Sequence, residues 1–406
     1  MSTTEFTLIK GKGSVRAADF IAFVSDRQTE QVLKSFVLEQ AMPHAHVALG
    51  NLEDAISYVS RLERSPQFLL VDLQGSVMPL SDLNRLAEVC EPSVQVITIG
   101  ERNDVGLFRS LLKIGVRDYL VKPLTVELLK RTINVAEGKV SPVSLARAGK
   151  TIAFAGTRGG VGVTTVALNL ARYLAEDTHR RVAFVDLNLT GGAANSMLGA
   201  QTNGGLVDVL QNAHRLDPQY VERTLVANGG RLFLLTADLE YGTQRAHPPG
   251  ALKRVIELLC DSFHYVIIDV GNPGDSLAQD AFDQASRVYL VTDRSVHATR
   301  ETIRLLRFIE DRDNNPPTSL LLNNPNAATA GKVQVTDFMQ AVGRTVLHEI
   351  QFENKALATA ENLGEAPKEK AANGFNQAIV RIASDLTGQQ TTVERSLLQK
   401  FRLRRS

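Results

Sequence analysis

Residues 156–165 decide the fold of this chain, and they read Gly156-Thr157-Arg158-Gly159-Gly160-Val161-Gly162-Val163-Thr164-Thr165. They lie between the apolar run Thr151–Ala155 and the run Val166–Leu174, which has helical periodicity. Glycine lets the backbone curl around an anion, and the N-terminus of a helix directs free N–H groups toward it. The stretch therefore predicts a buried strand, a phosphate-binding turn and a helix that starts at two threonines.

The turn departs decisively from the nucleotide-binding pattern G-x-x-x-x-G-K-[ST] at Val163, where the pattern requires lysine. Lysine reaches the β- and γ-phosphates in that motif, and valine carries no charge. The sequence therefore predicts a nucleotide site without efficient hydrolysis. The alternative interpretation is a tight strand-to-helix turn that holds no ligand.

The composition is that of a globular protein, and the length predicts two domains. The chain has 406 residues, of which 44% are hydrophobic and 22% charged, and its net charge is +1. This near balance argues against a chain built around nucleic acid, although a local basic patch stays open. Function must therefore come from individual sites.

Cysteine usage and hydropathy indicate a cytoplasmic protein. Cys90 and Cys260 lie far apart in apolar helical contexts, which is typical of core residues in a reducing compartment. Residues 1–13 lack the apolar core of a signal peptide, and no segment reaches the ~18 apolar residues of a membrane span. We therefore expect a cytoplasmic location.

A first domain is predicted over residues 16–140. Short apolar runs alternate with helical patterns, and the runs are Phe20–Val24, Val47–Leu49, Phe68–Val71, Val94–Ile99 and Tyr119–Val121. Five strands separated by helices predict a doubly wound parallel sheet, whose sites lie at the carboxyl ends of its strands. Asp26, Asp72 and Lys122 occupy three such ends.

This first domain resembles the receiver domain of response regulators, in a flavodoxin-like fold. The stretch Gly115–Pro123 matches the last strand and Lys-Pro of that family, and Asp72 takes the phospho-acceptor position, with Asp26 and Lys122 beside it. Where the family has two adjacent acids, this chain has Ser25-Asp26. Where the family has a hydroxyl residue at the end of the fourth strand, this chain has Gly100. The departures favour an unphosphorylated docking module, and phosphorylation at Asp72 is the alternative.

A linker is predicted over residues 141–149, a second domain over 150–388 and a basic tail over 389–406. In the second domain, two apolar strands end in Asp186 and Asp269, and each is followed by a glycine-containing loop. Two further strands are predicted at Arg287–Thr292 and Ser319–Leu322. A strand-end carboxylate beside a phosphate turn is how Mg²⁺ is held next to a nucleoside triphosphate. The glycine turn and the two carboxylates together predict a Mg²⁺-nucleotide site.

Three arginines form a basic face on a later predicted helix. Arg300, Arg304 and Arg307 follow helical spacing, opposite the apolar residues Ile303, Leu306 and Ile309. Such a face is usually solvated, and contact with a DNA backbone is the other interpretation.

The second domain resembles MinD/ParA-type P-loop ATPases, and the whole chain resembles the CpaE/TadZ branch of Flp/Tad pilus assembly proteins. That branch joins a degenerate receiver to a deviant ATPase domain. The likeness spans about residue 17 to 370 and rests on these stretches: Arg158–Thr165, Asp186–Leu189, Gly205–Leu210, Arg215–Asp217, Val296–Arg300 and Ala360–Pro367.

The resemblance implies roles for individual residues. The ten residues 156–165 would bind the nucleotide phosphates, and Arg158 replaces the signature lysine that reaches the partner subunit's nucleotide. Thr164, Asp186 and Asp269 would hold Mg²⁺, and Asn323 would contact adenine. Asn188 stands where active members have a catalytic acid. Asn cannot accept a proton, and loss of one charge-stabilising group costs ~10²–10³-fold in rate, so the resemblance implies ATP and Mg²⁺ binding with slow or absent hydrolysis.

We therefore expect a cytoplasmic, homodimeric ATP-binding factor that positions a Flp/Tad-type pilus or secretion machine, at the cell pole or at the inner membrane. One alternative is a ParA- or MinD-like ATPase that moves DNA or another cargo, and another is a phosphorelay regulator acting through Asp72. Nucleic acid is not an expected partner of the leading interpretation.

The C-terminal residues 393–406 have an amphipathic pattern. Leu397, Leu398 and Phe401 fall on one helical face. The same segment contains five basic residues and only one acid, Glu394. The pattern resembles the membrane-targeting helix of MinD, and it predicts weak peripheral contact with anionic lipid. A solvated, unstructured terminus is the alternative.

Overall fold

The computed structural model describes residues 20–62, 64–137, 148–201, 203–243, 247–323, 333–351, 353–368 and 372–388. The chain divides into two compact units, Met1–Arg147 and Ala148–Ser406. Both units are α/β folds built on parallel sheets, which confirms the predicted fold class. The predicted tail 389–406 and residues 141–147 of the predicted linker lie outside the described residues.

The first unit contains one five-stranded sheet. Its strands are β1 Phe20–Val24, β2 Ala45–Leu49, β3 Phe68–Asp72, β4 Gln95–Gly100 and β5 Asp118–Val121. Its helices are α1 Arg27–Glu39, α2 Leu52–Val59, α3 Pro79–Val89, α4 Val105–Lys113 and α5 Val126–Glu137. All neighbouring strands are parallel, in the order β2-β1-β3-β4-β5. This flavodoxin-like order reverses direction between β1 and β3, where doubly wound sheets place their sites.

Helices cover both faces of this sheet, which explains its continuous apolar strands. Alternate residues of β1 point to opposite sides: Phe20 packs with residues of α1 and α5, and Ile21 packs with residues of α2, α3 and α4. A strand that is buried on both faces needs apolar residues at every position. All five residues of β1 and of β3 are accordingly buried, including Asp72.

The second unit contains one eight-stranded sheet. Its strands are β6 Lys150–Gly156, β7 Val182–Asp186, β8 Val226–Asn228, β9 Leu232–Leu235, β10 Tyr265–Val270, β11 Arg287–Thr292, β12 Thr318–Asn323 and β13 Val346–Ile350. The first helices are α6 Val163–Glu176, α7 Ala194–Met197, α8 Gly205–Gln211, α9 Pro218–Thr224 and α10 Ala251–Cys260, with a 3₁₀ turn at Ala213–Arg215. The later helices are α11 Ser276–Gln284, α12 Val296–Glu310, α13 Val335–Val342, α14 Asn354–Leu363 and α15 Asn373–Thr387.

The strand order is β13-β12-β11-β6-β10-β7-β9-β8, and the β8–β9 pair alone is antiparallel in this sheet of described residues. Five of these eight strands are predicted from their apolar runs, whereas β8, β9 and β13 are not. β8 has only three residues and β13 carries the polar residues His348 and Glu349, so neither contains a long apolar run. β9 is an apolar run of four residues that was not predicted.

The sheet order places the glycine turn at the centre of the second unit. β6 pairs with β10 on one side and with β11 on the other, and β10 also pairs with β7. The carboxyl ends of these four parallel strands therefore meet at one edge. Residues that follow β6, β7, β10 and β11 converge there.

Candidate functional site

The turn between β6 and α6 has the backbone geometry of an anion cradle. Gly160 and Gly162 have φ angles of 72° and 90°, in the left-handed region that favours glycine. Gly162 caps α6, and the first helical bond runs from Val166 N–H to the Gly162 carbonyl at 3.1 Å. The N–H groups of residues 163–165 therefore have no acceptor within the helix, and they point toward the space in front of the turn.

Two glycines of this turn are also required by close packing. A Cβ on Gly162 would lie 2.4 Å from Asn323 Nδ2, and one on Gly156 would lie 2.6 Å from Val163 Cγ2. By contrast, nothing lies within 4 Å of a Cβ on Gly159 or Gly160, and both residues are exposed. The inner half of the turn is therefore packed against the protein, and the outer half faces open space.

Val163 leaves the turn without the charge that lysine would supply. Its side chain is partly buried and packs against the apolar cluster between α6 and the sheet. Val163 is the first residue of α6, and it also lines the cavity in front of the turn. A phosphate on this turn would contact backbone N–H groups and Thr164, but no ammonium group at this position.

The two strand-end carboxylates lie side by side behind the turn. Asp186 of β7 and Asp269 of β10 are paired in the sheet register and are 1% and 3% exposed. Thr164 donates its hydroxyl to Asp269 Oδ2 at 2.6 Å, and Asn188 N–H donates to Asp186 Oδ1 at 3.0 Å. The structure thus brings together the three residues predicted to hold Mg²⁺.

The electrostatics of this pair favour a cation. Burial raises the pKa of Asp269 to about 7, and the nearby charge of Asp186 adds to the rise. Burial likewise raises the pKa of Asp186. Two buried carboxylates cannot both ionise without a neutralising partner. A bound proton or a divalent cation would supply that positive charge.

The donor set fits Mg²⁺. A hydroxyl and two carboxylates are hard oxygen ligands, and Mg²⁺ usually takes one or two carboxylates and keeps waters or phosphate oxygens. In the described residues, no group of three His, Cys, Asp or Glu side chains could hold a metal ion by itself. Phosphate oxygens and water would therefore have to complete the coordination, as they do beside a nucleoside triphosphate.

Arg158 is paired within its own subunit. Its Nε donates to Asp293 Oδ2 at 2.9 Å, a second guanidinium nitrogen contacts the same oxygen, and the third donates to the Gly159 carbonyl at 3.0 Å. Asp293 directly follows β11 and is 5% exposed. The guanidinium therefore lies against the sheet edge of its own chain, with its side chain 28% exposed.

Asn188 and Asn323 lie at the edges of the site. Asn188 is exposed and lines the cavity in front of the turn, and its Oδ1 accepts from Gly191 N–H at 3.2 Å. Asn323 is buried, and its Nδ2 donates to the Val161 carbonyl at 2.8 Å. Asn323 therefore supports the turn directly, a contact that the sequence did not predict.

Two adjoining cavities surround the turn. The larger, of about 920 Å³, is lined by the whole turn, by Asp269 and by residues of α12. The smaller, of about 190 Å³, is lined by Asn323 and by residues of α6 and α14. Both are lined by Gly160, Gly162 and Thr165, so the second space opens directly beside the first.

In the first unit, four strand-end residues form one hydrogen-bonded cluster. Lys122 Nζ lies 2.5 Å from Asp72 Oδ2, 2.7 Å from Asp26 Oδ2 and 3.1 Å from Ser25 Oγ. Ser25 also donates to Asp72 through both its N–H and its hydroxyl. The side chain of Asp72 is fully buried. The predicted residues Asp26 and Asp72 thus both contact the predicted Lys122.

Hydrogen bonds and the ammonium group of Lys122 offset the charges of the two acids in this cluster. Burial opposes ionisation of Asp72, but donors from Lys122 and Ser25 hold its pKa below the usual range. For Asp26, burial is likewise outweighed, and hydrogen bonds from Lys122 and Thr29 lower its pKa to about 2. Both acids are therefore ionised at neutral pH and share one ammonium group.

Gly100 leaves room for an aromatic side chain. A Cβ at Gly100 would lie 2.4 Å from the hydroxyl of Tyr119, and that hydroxyl donates to the Arg102 carbonyl at 2.8 Å. Tyr119 is buried. The position that carries a hydroxyl residue in receivers is therefore adjacent to a fixed tyrosine.

A strand, a glycine turn, a helix and two strand-end carboxylates define the P-loop class of nucleotide-binding folds, here without the lysine. Residues 149–320 match the family model described as an AAA domain. The septum site-determining protein MinD of Bacillus subtilis is 24% identical over 257 residues, which cover 61% of this chain and 94% of that protein.

Solved structures show the same fold. A ParA family ATPase from Chlorobium tepidum covers 58% of this chain and 98% of its own, at 20% identity and a TM-score of 0.53. MinD of Pyrococcus horikoshii, solved with Mg-ADP, covers 59% of this chain and 96% of its own, at 20% identity and a TM-score of 0.51. Residues 149–320 therefore match an AAA domain model, and the second unit has the fold of the MinD and ParA family structures.

The more specific pilus-assembly resemblance is not confirmed. A structure of the pilus assembly protein CpaE from Caulobacter crescentus is 29% identical and covers 29% of this chain and 91% of its own, but its TM-score of 0.27 is too low to support a conclusion. No helix within the described residues combines the length and the apolar character needed to cross a membrane.

Besides the Asn323 contact, three features of the site were not predicted from the sequence. Asp293 pairs with Arg158, Thr157 donates its hydroxyl to Thr292 at 3.1 Å, and Gly192 lies so close to Asp186 that a Cβ would be 2.5 Å from its Oδ2. Asp293 could have been found from the rule used for Asp186 and Asp269, because it too is an acid that directly follows a buried apolar strand.

Proposed function

We propose that this protein is an ATP-binding localisation or assembly factor of a Flp/Tad-type pilus machine, with slow or absent ATP hydrolysis. The observation that carries the proposal is a glycine-rich turn, with Gly160 and Gly162 in the left-handed region, that has Val163 at its lysine position and Thr157 at the first glycine position of the motif. The triphosphate would lie on the turn in the larger cavity, and the smaller cavity offers space for the base beside Asn323.

The retained residues account for nucleotide binding. Backbone N–H groups at the start of α6 face the phosphates, and Thr164 with Asp186 and Asp269 would hold Mg²⁺. Mg²⁺, when bound, would neutralise phosphate charge. These contacts bind the ground state, and they do not need Val163 to be charged.

The altered residues account for slow turnover. Phosphoryl transfer depends on positive charge around the transferred group and on a residue that orients the attacking water. Val163 supplies no charge, and Asn188 can hydrogen-bond a water but cannot accept its proton. The remaining cation of the turn, Arg158, is engaged by Asp293.

We also propose that two copies associate through the face that carries the turn. Gly159 and Gly160 are exposed, and no atom lies within 4 Å of the place where a Cβ would stand on either residue, which permits another backbone to approach closely. Arg158 could then reach the nucleotide of the second copy. The proposal includes a cytoplasmic location at the cell pole. It also includes a receiver-like docking module, residues 16–140, which the linker 141–149 joins to the domain 150–388.

The pilus role is tested in the native host. The gene is deleted and complemented with the wild type, with Arg158→Ala or with Arg254→Ala, while pili are counted and a fluorescent fusion is located. Arg254 is an exposed arginine of α10 that lines neither cavity. We expect the wild type and Arg254→Ala to restore pili and a focused location, and Arg158→Ala to lose both. Normal piliation of the deletion strain would refute the role.

Weak membrane contact through residues 393–406 is a further part of the proposal. Those residues lie outside the described structure. Cosedimentation of the full chain and of a chain lacking 389–406 with anionic vesicles tests it. Equal recovery of the two proteins on anionic vesicles would refute the proposed membrane contact.

A ParA-like DNA-associated function is the second candidate, and the basic face of α12 favours it. Arg300, Arg304 and Arg307 are all exposed on that helix. Arg304, however, pairs with Glu301 at 2.8 Å. A DNA shift assay at increasing salt separates the candidates, because phosphate contacts weaken steeply with salt and require these arginines. No shift at low salt would exclude the DNA function.

A further inference from the structure

The guanidinium of Arg158 uses its donors inside its own subunit. Nε and one terminal nitrogen both contact Asp293 Oδ2, and the other terminal nitrogen donates to the Gly159 carbonyl at 3.0 Å. Both donors of this fork converge on one carboxylate oxygen, in a charge-assisted contact that is stronger than a hydrogen bond between neutral groups. In this arrangement, the fork is directed at the sheet edge rather than away from the protein.

Asp293 is the fixed member of the pair. Its Oδ1 accepts from Ser295 N–H at 2.9 Å, and Ser295 in turn caps α12 by accepting from Ala298 N–H at 3.1 Å. Thr292, the preceding residue, is bonded to Thr157 and to Thr302 through its hydroxyl. Asp293 is 5% exposed, whereas the Arg158 side chain is 28% exposed. Any exchange of partners must therefore move Arg158.

A phosphate and a carboxylate offer the guanidinium the same kind of contact. Both present anionic oxygens that can accept N–H bonds from the guanidinium. Because Nε and a terminal nitrogen are already directed at Asp293, Arg158 cannot present the same fork to a phosphate at the same time. The two acceptors are mutually exclusive.

We infer that Asp293 and a nucleotide phosphate of a second copy compete for Arg158, so that the Arg158–Asp293 pair restrains nucleotide-dependent association of the chain. This inference rests on the proposed ATP-dependent dimer. The pair holds each copy in a state in which its arginine is unavailable to the other copy.

The competitor is charged at physiological pH. Burial by itself would raise the pKa of Asp293, but hydrogen bonds from Arg158 and Ser295 hold it below its usual range. The carboxylate is therefore ionised at neutral pH. A neutral amide of the same shape would keep an oxygen for Ser295 and remove the charge that retains Arg158.

The test uses the full chain with Asp293→Asn. A matched control is Asp283→Asn, which breaks another Asp–Arg pair of the second unit, the contact with Arg312 near the C-terminal end of α11. Sedimentation equilibrium measures the dimer dissociation constant with Mg-ATP, with Mg-ADP and without nucleotide. Isothermal titration measures nucleotide affinity on the same samples, and circular dichroism checks the fold.

We expect Asp293→Asn to tighten the Mg-ATP dimer by about tenfold to a hundredfold, the equivalent of one charge-assisted hydrogen bond. Asp283→Asn should leave it unchanged. In an Arg158→Ala background, Asp293→Asn should have no effect, because the restrained group is gone. If Asp293→Asn fails to fold, Asp293→Ser is the second variant, since its hydroxyl can accept from Ser295 N–H.

The outcomes separate this inference from the function on which it rests. Absence of ATP binding by the wild type would overturn the proposed function and this inference with it. ATP binding together with an unchanged or weakened dimer in Asp293→Asn would overturn the inference alone. Tightening that persists in the Arg158→Ala background would also overturn it, because the effect would then not pass through Arg158.

Discussion

Replacing the glycines of the turn one at a time tests whether the cradle has the geometry described. Gly159, Gly160 and Gly162 are close in sequence but differ in environment. Gly159 has an ordinary φ and open space, Gly160 has a φ of 72° and open space, and Gly162 has a φ of 90° with Asn323 Nδ2 only 2.4 Å from a Cβ. Alanine at the three positions should therefore have three different costs.

The magnitudes follow from these environments. A left-handed conformation costs alanine ~1–2 kcal/mol, which applies to Gly160→Ala and Gly162→Ala. Gly162→Ala also displaces the Asn323 amide from the Val161 carbonyl, a 2.8 Å bond, and an unpaired buried group costs ~1–3 kcal/mol more. We expect a loss of ~3 kcal/mol for Gly162→Ala, ~1 for Gly160→Ala and less than ~0.5 for Gly159→Ala.

Scanning calorimetry is the assay, since it can resolve separate transitions of the two units. A loss of ~3 kcal/mol should lower the Tm of the second unit by roughly 6–12 °C, and the first unit should not change. Gly159→Ala is the control for substitution in the turn. Equal stability of Gly159→Ala and Gly162→Ala would refute the geometry on which the cradle depends.

Three further predictions concern charge. Burial raises the pKa of Asp269 from 3.8 to about 7, so the stabilisation that its protonation gives is complete below pH 3.8 and is lost as the pH rises through 7. Urea unfolding between pH 5.5 and 8 should show this decline in the free energy of unfolding. The decline should be smaller with Mg²⁺ and absent in Asp269→Asn. Val163→Lys with Asn188→Asp should raise ATP turnover by about tenfold or more, since it restores charge and a base near the phosphates, and a phosphate-release assay that finds no gain would contradict this. Asp72 should take up no phosphoryl group from acetyl phosphate, because Ser25 stands where receiver domains have one of the two adjacent acids that hold Mg²⁺; mass spectrometry showing a phosphorylated Asp72 would favour the phosphorelay alternative.

The sequence predicts the core of both sheets because buried parallel strands are continuous apolar runs. Phe68–Asp72 and Tyr265–Val270 are examples, since both lie between helix-covered faces and carry a carboxylate at or next to the strand end. The edge strand Val346–Ile350 has partly exposed positions, and its pattern is therefore not distinctive. Short edge strands depend on pairing with a neighbour, which one sequence does not reveal.

A residue of the candidate site can be predicted where its position on a single strand is enough to place it. Asp186 and Asp269 could be placed at the site because each lies at the carboxyl end of its own strand, at the same sheet edge. The pairing of Arg158 with Asp293 depends on β11 lying beside β6, and the order of strands in a sheet is not written in the sequence. Contacts across the sheet were therefore missed, although each residue adjoins a strand that was predicted.

Isothermal titration of Mg-ATP into the wild-type protein and into Thr164→Ala tests the central claim, that the glycine turn binds a nucleotide without lysine. Thr164 touches Asp269 at 2.6 Å, and its loss should weaken Mg-ATP binding by about tenfold or more. We predict saturable binding of one nucleotide per chain, weakened in Thr164→Ala. No binding by the wild type, or equal binding by both proteins, would contradict the claim.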